Sequence, residues 1–400
     1  MISESAIPVN RSCNVCGYSD LSLMLSLPDY PLNSLYLATF DDDVKYLSDF
    51  DLYSCRRCLH VQGTSALSID DLYNEHYSYT VNNSGARGRQ DFFVNRVLQF
   101  AGGRRFNRVI ELGCFDLSLL KKLKANGLLA DHWIGIDPVP LRIDSAAEDI
   151  LFLHGYFQDI DIPFLDKDRP DLIISDQVFE HVPSANDVLS SFSKAAAPDS
   201  IFIVCVPSLE LLIDNFSFHN IIHEHLNYFS AAVLAKLFDK CNFDLRYSEL
   251  NNEQTVGLLL QVYTNSCGSG DKVVSLEAAD FLTKFRGNFA VFESNLAGVN
   301  DFIRQGTAER IYGFGASDIT ANLAYFMKSD FSGLHHIIDD TPYKQNRFIP
   351  HLKPLIVNSD NVADWSTSAV LITAPQASRP IIGKLLSLKA KKIICPINVF

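Results

Sequence analysis

The 400-residue sequence lacks any apolar run long enough to cross a membrane. Its longest runs, such as IFIVCVP at 201–207 and VLITAP at 370–375, fall well short of the roughly 18–20 residues that a spanning helix needs. The first residues contain neither the basic segment nor the apolar segment of a secretory signal. We therefore expect a cytoplasmic protein with no membrane partner.

Positive charge is also scarce, since 34 Lys and Arg face 47 Asp and Glu and the net charge is −13. This balance argues against a nucleic acid as partner, because phosphate contacts need clustered Lys and Arg. A small anionic ligand remains compatible, because a local basic pocket or a helix N-terminus is enough to bind it. The chain has no internal repeat, and its length predicts two or three domains.

Four of the nine cysteines form two C-x2-C pairs, Cys13 with Cys16 and Cys55 with Cys58. In a cytoplasmic protein such cysteines are thiols or metal ligands rather than disulfides. Two pairs of this kind can present four thiolates to one tetrahedral zinc ion, and Gly17 permits the tight turn after the first pair. We predict a closed structural zinc site, with four reduced thiols in a small core as the alternative.

Strand and helix patterns alternate through the rest of the chain, which predicts an α/β protein. RVIELGC, HWIGIDP, PDLIISD and SIFIVCVPS read as buried strands of a parallel, doubly wound Rossmann-like sheet. A long helical stretch and RIYGFGAS then begin a second, smaller Rossmann-like pattern. We predict a zinc-binding domain at 1–75, a central domain at 76–266 and a C-terminal domain at 267–400.

The central pattern places acids where a nucleotide-type cofactor would bind. A Gly turn follows the first strand in ELGCFD, an acid closes the second strand in GIDP, and SDQVFEHV follows a later strand. This order resembles class I S-adenosylmethionine methyltransferases, whereas the absence of G-x-G-x-x-G disfavours NAD. A sheet without a cofactor is the other alternative. The cofactor-binding residues that this resemblance implies are Tyr77, Tyr79, Glu111, Gly113, Asp116, Asp137, Asp176 and Gln177.

The same loop departs from the pattern at Leu117, where these methyltransferases usually have glycine. A leucine there is expected to crowd the methionine end of the cofactor or to force another backbone route.

HNIIHEHLNYFS at 219–230 gathers three histidines and a glutamate in an apolar segment. It could transfer protons, bind a metal ion, or simply pack in a hydrogen-bonded loop. The metal interpretation is weakened because the spacing is not H-E-x-x-H.

The whole chain resembles the three-domain sugar C-methyltransferases that act on nucleotide-linked keto-deoxysugars. The resemblance rests on the four cysteines, YNEHYSY at 73–79, ELGCFD, FEHVP, IIHEHLNYFS, IYGFGAS and DDTPYKQNRFIPHLKPLIV. It implies that His225 removes the proton next to the ketone, that Glu224 and His223 orient it or bind the sugar, and that His181 stabilises the enolate. Tyr228 is a further candidate for substrate binding. Lys344 and Arg347, in YKQNRF, are candidates for diphosphate contacts, with a solvated loop as the alternative.

Three departures from this family affect the substrate region. Ile222 replaces an expected tyrosine, and His219 replaces an expected aspartate. The C-terminal loop, usually GA-x-A-K-G in this family, reads GASDIT, so that its lysine is absent and Asp318 is present. We therefore expect a relative with a different sugar or activated ketone, acting as a monomer or homodimer. An O- or N-methyltransferase and a non-catalytic, zinc-containing sugar-nucleotide or partner-binding module remain the alternatives.

Overall fold

Three β-sheets organise the computed structural model, which describes residues 12–65, 84–141, 149–157, 169–253, 257–265, 278–305 and 310–397. The first sheet is antiparallel and has four strands in the order β1-β2-β3-β9. These strands are β1 (Leu21–Pro31), β2 (Leu47–Cys55), β3 (Val61–Ser65) and β9 (Asn227–Tyr228). Because β9 comes from the central part of the chain, the N-terminal sheet is completed by the segment that carries the histidine cluster.

The second sheet has seven strands in the order β10-β11-β8-β7-β4-β5-β6. β4 to β8 run parallel, and β11 pairs antiparallel with both β8 and β10. Because β4 lies between β5 and β7, the strand order reverses beside it, and ligands bind at such switch points. The strands are β4 (Arg105–Leu112), β5 (Leu129–Asp137), β6 (Leu151–His154), β7 (Leu172–Asp176), β8 (Ile201–Pro207), β10 (Phe243–Asn251) and β11 (Leu258–Asn265).

Helices cover both faces of this sheet, which is why its central strands are continuous apolar runs. Two separate apolar clusters pack on its opposite faces, one with Ile110 and Phe202, the other with Val109 and Ile203. The helices are α1 (Ser84–Ala101), α2 (Ser118–Ala125), α3 (Ala185–Ala195), α4 (Leu209–Asp214) and α5 (Ala231–Asp239).

The C-terminal part repeats the parallel arrangement with five strands in the order β14-β13-β12-β15-β16. Its elements are α6 (Ala278–Arg304), β12 (Ile311–Phe314), α7 (Thr320–Phe326), β13 (Ile337–Ile338), β14 (Ile356–Val357), β15 (Ala369–Ile372), α8 (Ser378–Ser387) and β16 (Lys392–Ile394). The predicted α/β fold class with its second Rossmann-like sheet is therefore confirmed.

One apolar cluster joins the three predicted regions. It contains Tyr30 from β1, Phe218 and Ile221 from the histidine segment, and Phe292 and Phe326 from the C-terminal helices. The rings of Phe218 and Phe292 lie 5.4 Å apart, and those of Phe292 and Phe326 lie 5.1 Å apart. The predicted domain boundaries at 75 and 266 lie outside the described residues and stay predictions. In the described ranges, no helix is both long and apolar enough to span a membrane.

Candidate active site

One cavity of about 1240 Å³ opens at the carboxyl ends of the parallel strands and extends to the loops of the five-stranded sheet. Pockets for a single small ligand are usually about 300–1,000 Å³, so this cavity has room for a cofactor and a second molecule. The predicted site residues that line it are Glu111, Gly113, Asp116, Asp137, Asp176, Gln177, His181, Glu224, His225, Tyr228 and Lys344. Tyr77 and Tyr79 lie outside the described residues.

The loop after β4 forms one wall of this cavity. Gly113 has φ +69°, and a Cβ added to it would come within 2.3 Å of Val178 Cγ2. Asp137 fixes the loop, because its two carboxylate oxygens accept the N–H groups of Phe115 and Val139, both at 2.8 Å. Each oxygen has a second lone pair, so Asp137 can still accept a ribose hydroxyl. Its contact with a ribose remains a prediction.

Two acids beside this loop, the buried Glu111 and the half-buried Asp176, each have one buried oxygen without a hydrogen-bond partner among the described residues. Glu111 Oε2 and Asp176 Oδ1 make no hydrogen bond within the part of the chain that the structure describes. Burial raises the pKa of Glu111 well above its usual value and raises that of Asp176 to about 6, although Arg89 opposes the latter shift. Buried acceptors of this kind need a donor or a cation. S-adenosylmethionine carries both an ammonium and a sulfonium, so the site suits it.

Leu117 turns away from the cavity, which corrects the expectation that it crowds the cofactor. It has φ 62° and ψ 11°, immediately before α2, and its side chain is fully buried in the core on one face of the sheet. There it lies against Gly135, since a Cβ on Gly135 would come within 2.6 Å of Leu117 Cδ2. Leu117 thus has the left-handed conformation that glycine adopts easily. For a leucine this conformation costs about 1–2 kcal/mol.

Leu117→Gly is expected to destabilise the protein without improving cofactor binding. Relief of the left-handed backbone contributes about 1 kcal/mol, whereas losing a buried leucine costs about 2–5 kcal/mol. Calorimetric titration with S-adenosylhomocysteine should give an affinity within about threefold of the wild type. Leu123→Ala, also buried in this core, is the matched control for stability, and a tenfold gain in affinity for Leu117→Gly would contradict this account.

The histidine segment brings His225 into the cavity opposite the cofactor loop. Its ring lies 5.0 Å from that of His181 and 6.1 Å from that of Tyr228, between centroids. Burial, with a smaller effect of His181, lowers the pKa of His225 well below 6.5, so the ring is neutral near pH 7. A neutral imidazole has a nitrogen lone pair that can accept a proton.

Glu224 and His181 are connected through the backbone of this segment. Glu224 Oε2 accepts a hydrogen bond from Asn33 Nδ2 at 3.2 Å, and burial raises its pKa. His181 Nδ1 donates to the Glu224 carbonyl oxygen at 2.8 Å. Burial lowers the pKa of His181 to about 4, so its Nε2 carries no proton at neutral pH. The role of His181 at the enolate oxygen stays a prediction.

The other two histidines of the segment do not line the cavity. His223 Nε2 donates to the Tyr30 carbonyl oxygen at 3.2 Å, and its ring packs against Phe50. His219 is 1% exposed and stacks on Phe292, and burial lowers its pKa to about 3. Both rings therefore lie in the core, and the role of His223 in orienting His225 or binding the sugar stays a prediction.

Asn227 connects this segment to the cysteine knuckles. Its Oδ1 accepts hydrogen bonds from Asn14 Nδ2 and His60 Nε2, both at 3.0 Å. Its Nδ2 donates to the carbonyl oxygens of Phe179, at 3.0 Å, and Val182, at 2.7 Å. All four hydrogen bonds that an asparagine amide can make are thus formed in a buried position.

Asn227→Asp is expected to lower the free energy of unfolding by about 3 kcal/mol. The change keeps the shape but replaces both donors with an acceptor that faces two carbonyl oxygens, which leaves buried polar groups unsatisfied. Denaturant unfolding compared with Asn295→Asp, an exposed position on α6, measures the effect. Equal stabilities for the two variants would contradict the role of Asn227.

The far side of the cavity carries two lysines, each paired with an acid, Lys344 with Asp339 and Lys384 with Asp340. Lys344 Nζ donates to the Ala316 carbonyl oxygen at 2.7 Å and lies 3.5 Å from Asp339 Oδ2. Lys384 also lines the cavity, whereas Arg347 donates to the Tyr36 carbonyl oxygen outside the lining. The sequence offered no signal for Arg89, Asn33 and Lys384, which belong to no ligand motif and reach the cavity only through the fold. Glu180 lies in FEHVP beside His181, although the motif alone gave it no role.

Comparisons with known proteins match two parts of the chain. Residues 86–248 match the model of a methyltransferase domain, and residues 269–397 match that of a C-methyltransferase C-terminal domain. Over 373 residues, 84% of this chain and 83% of the relative, the sequence is 25% identical to the C-methyltransferase NovU of Streptomyces niveus. The chain belongs to the C-methyltransferase family. It is an S-adenosylmethionine-dependent C-methyltransferase.

Two solved structures align with about half of this C-methyltransferase. The N-methyltransferase NodS from Bradyrhizobium japonicum WM9, in complex with S-adenosylhomocysteine, is 14% identical, covering 48% of this chain and 93% of that chain, with a TM-score of 0.37. The PH0226 protein from Pyrococcus horikoshii OT3 is 18% identical, covering 50% of this chain and 100% of that chain, with a TM-score of 0.40.

Proposed function

We propose that this enzyme methylates the carbon next to the ketone of a nucleotide-linked keto-deoxysugar, with His225 as the general base. The observation that carries the proposal is the position of His225. A neutral histidine lies in the same cavity as the loop after β4, and that cavity continues to two lysines. The site can thus hold a methyl donor, a base and an anionic substrate together.

The chemistry begins with the substrate, because a ketone acidifies the neighbouring C–H bond. The His225 lone pair takes that proton, and the electrons of the C–H bond move into the enolate. Bound S-adenosylmethionine supplies the electrophilic methyl group for the new C–C bond. Glu180 has an oxygen within 4.8 Å of the His225 nitrogen, and burial raises its pKa to about 8. The imidazolium that forms on His225 favours ionisation of this carboxyl, and the resulting carboxylate stabilises the imidazolium.

Tyr228 compensates in part for the hydroxyl that is absent at Ile222. Its hydroxyl accepts the Ile222 N–H at 3.2 Å and donates to the Ile222 carbonyl oxygen at 3.4 Å, so it must release this weak second bond to donate to a ligand. It also lines the cavity, so it can bind the sugar or its enolate oxygen. Lys344 and Lys384 are the candidates for the diphosphate on the opposite side.

His225→Gln is expected to lower kcat by about 10²–10⁴-fold, which is the usual contribution of a general base. The affinity for S-adenosylhomocysteine should change by less than about threefold, because the cofactor loop is untouched. The measurement is methyl transfer to a thymidine-diphosphate-linked 4-keto-6-deoxyglucose, alongside a calorimetric titration. His351→Gln, whose ring donates to the Asp43 carbonyl oxygen outside the cavity, is the control. Wild-type turnover in His225→Gln would exclude the base role.

We also propose that the four cysteines hold a structural zinc ion. Cys13 and Cys58 have their sulfur atoms 3.5 Å apart, as do Cys16 and Cys55, and all four lie within 4.8 Å of one another. A tetrahedral Zn–S₄ site has sulfur atoms about 3.8 Å apart, so the donor set fits. With four protein ligands the ion has no open position, and its role is to stabilise the knuckles.

Metal analysis of the purified protein should find about one zinc ion per chain, and Cys55→Ser should lose it. The midpoint of thermal unfolding should be lower for Cys55→Ser than for the wild type, because binding of a structural zinc ion contributes directly to folding. Cys241→Ser, which changes a buried cysteine outside the cluster, is the control and should retain the ion. A zinc-free, fully stable wild-type protein would contradict the proposal.

A further inference from the structure

A second group of metal-binding side chains lies in the cavity itself. Glu180, His181 and His225 each offer one ligand atom, and these three atoms lie within 4.8 Å of one another. His181 Nε2 is 4.0 Å from Glu180 Oε1. In a metal site the same atoms would be roughly 3 Å apart, given metal–ligand distances of about 2.0–2.2 Å, so small side-chain rotations are enough.

Glu180 is the member whose surroundings call for a cation. It is 1% exposed, it lines the cavity, and both of its carboxylate oxygens lack a hydrogen-bond partner in the described part of the chain. Leaving two buried acceptors unsatisfied is costly unless a ligand satisfies them. The nearby Arg89 acts on Glu180 only through space and forms no salt bridge with it among the described residues.

His181 is oriented in the manner of a metal ligand. Its Nδ1–H donates to the Glu224 carbonyl oxygen at 2.8 Å, and this bond fixes the tautomer in which Nε2 carries the lone pair. Metal-binding histidines usually donate their other ring N–H to a backbone carbonyl or a carboxylate in this way. The bond also anchors His181 to the segment that carries His225, so the two rings keep their separation.

We propose that Glu180, His181 and His225 form a second, two-histidine-one-carboxylate site for a divalent transition-metal ion such as Zn²⁺ or Co²⁺. Such a ligand set leaves coordination positions open, and here they face the cavity. One consequence of this site rests on the proposed function, namely on the role of His225 as the base. A His225 nitrogen that binds the ion cannot take a proton, so metal occupancy inhibits methyl transfer.

The test is a Co²⁺ titration of the zinc-loaded protein, followed by visible absorption. The added ion should give the weak d–d bands of nitrogen and oxygen ligands, without the intense charge-transfer bands of thiolates. Stoichiometry should reach one Co²⁺ per chain, with the zinc of the cysteine cluster retained. Glu180→Gln and His225→Gln should each weaken Co²⁺ binding more than about tenfold, whereas His351→Gln should not change it. Affinity for S-adenosylhomocysteine reports whether each variant is folded.

No bound Co²⁺, or equal binding by Glu180→Gln, would overturn the proposed site. Turnover should fall as Zn²⁺ fills the site and return when a chelator removes it. If turnover instead required the ion, the inference that His225 cannot bind the ion and act as the base at the same time would be wrong. The titration needs no substrate, so its result is independent of the proposed reaction. If His225 is not the base, this would appear only as unchanged turnover of His225→Gln.

Discussion

The buried amide of Asn227 is the interaction on which the active site depends. It joins the first cysteine knuckle, through Asn14, and the end of the second knuckle, through His60, to the loop that carries Glu180 and His181. The backbone of Leu226 and Asn227 adds two further bonds to the Glu180 carbonyl oxygen. Breaking any of these hydrogen bonds would leave a buried polar group unsatisfied, at a cost of about 1–3 kcal/mol. The network therefore fixes the position of the histidine segment relative to the knuckles and the Glu180–His181 loop.

The same segment is also held from the C-terminal side. Asn322, on α7, donates to the carbonyl oxygens of His219 and Ile221, at 3.2 and 2.9 Å. The Tyr30 hydroxyl, on β1, donates to the Ile221 carbonyl oxygen at 2.7 Å. The chain between 219 and 228 has little regular structure of its own, and these contacts replace the missing ladder bonds. A remote cysteine cluster and a second Rossmann-like sheet thereby help to position a single histidine.

The electrostatics of the cavity follow from this assembly. Acids from the central sheet form the cofactor side, where Glu111 and Asp176 suit a cationic methyl donor. Cations come from elsewhere in the chain, with Arg89 on α1 and Lys344 and Lys384 in the C-terminal part. The C-terminal side is not purely cationic, because Asp339 and Asp340 pair with the two lysines.

Local motifs made much of this site predictable from the sequence. The Gly113 turn, Asp137 and the cysteine pairs depend on short spacings within one strand end or one knuckle. The orientation of Leu117 was not predictable, because it depends on a left-handed backbone and on the space above Gly135. The inward orientation of His223 depends on contacts with β1, and Arg89 and Lys384 reach the cavity only through packing of distant elements.

The most direct test of the account is hydrogen exchange at the carbon next to the ketone. The enzyme, saturated with S-adenosylhomocysteine so that no methyl group is available, is incubated in D₂O with a set of nucleotide-linked 4-keto-6-deoxyhexoses, and NMR follows both carbons next to the ketone. The account predicts deuterium incorporation by the wild type and none above background with His225→Gln. Exchange at equal rates in both proteins would contradict the assignment of His225 as the base.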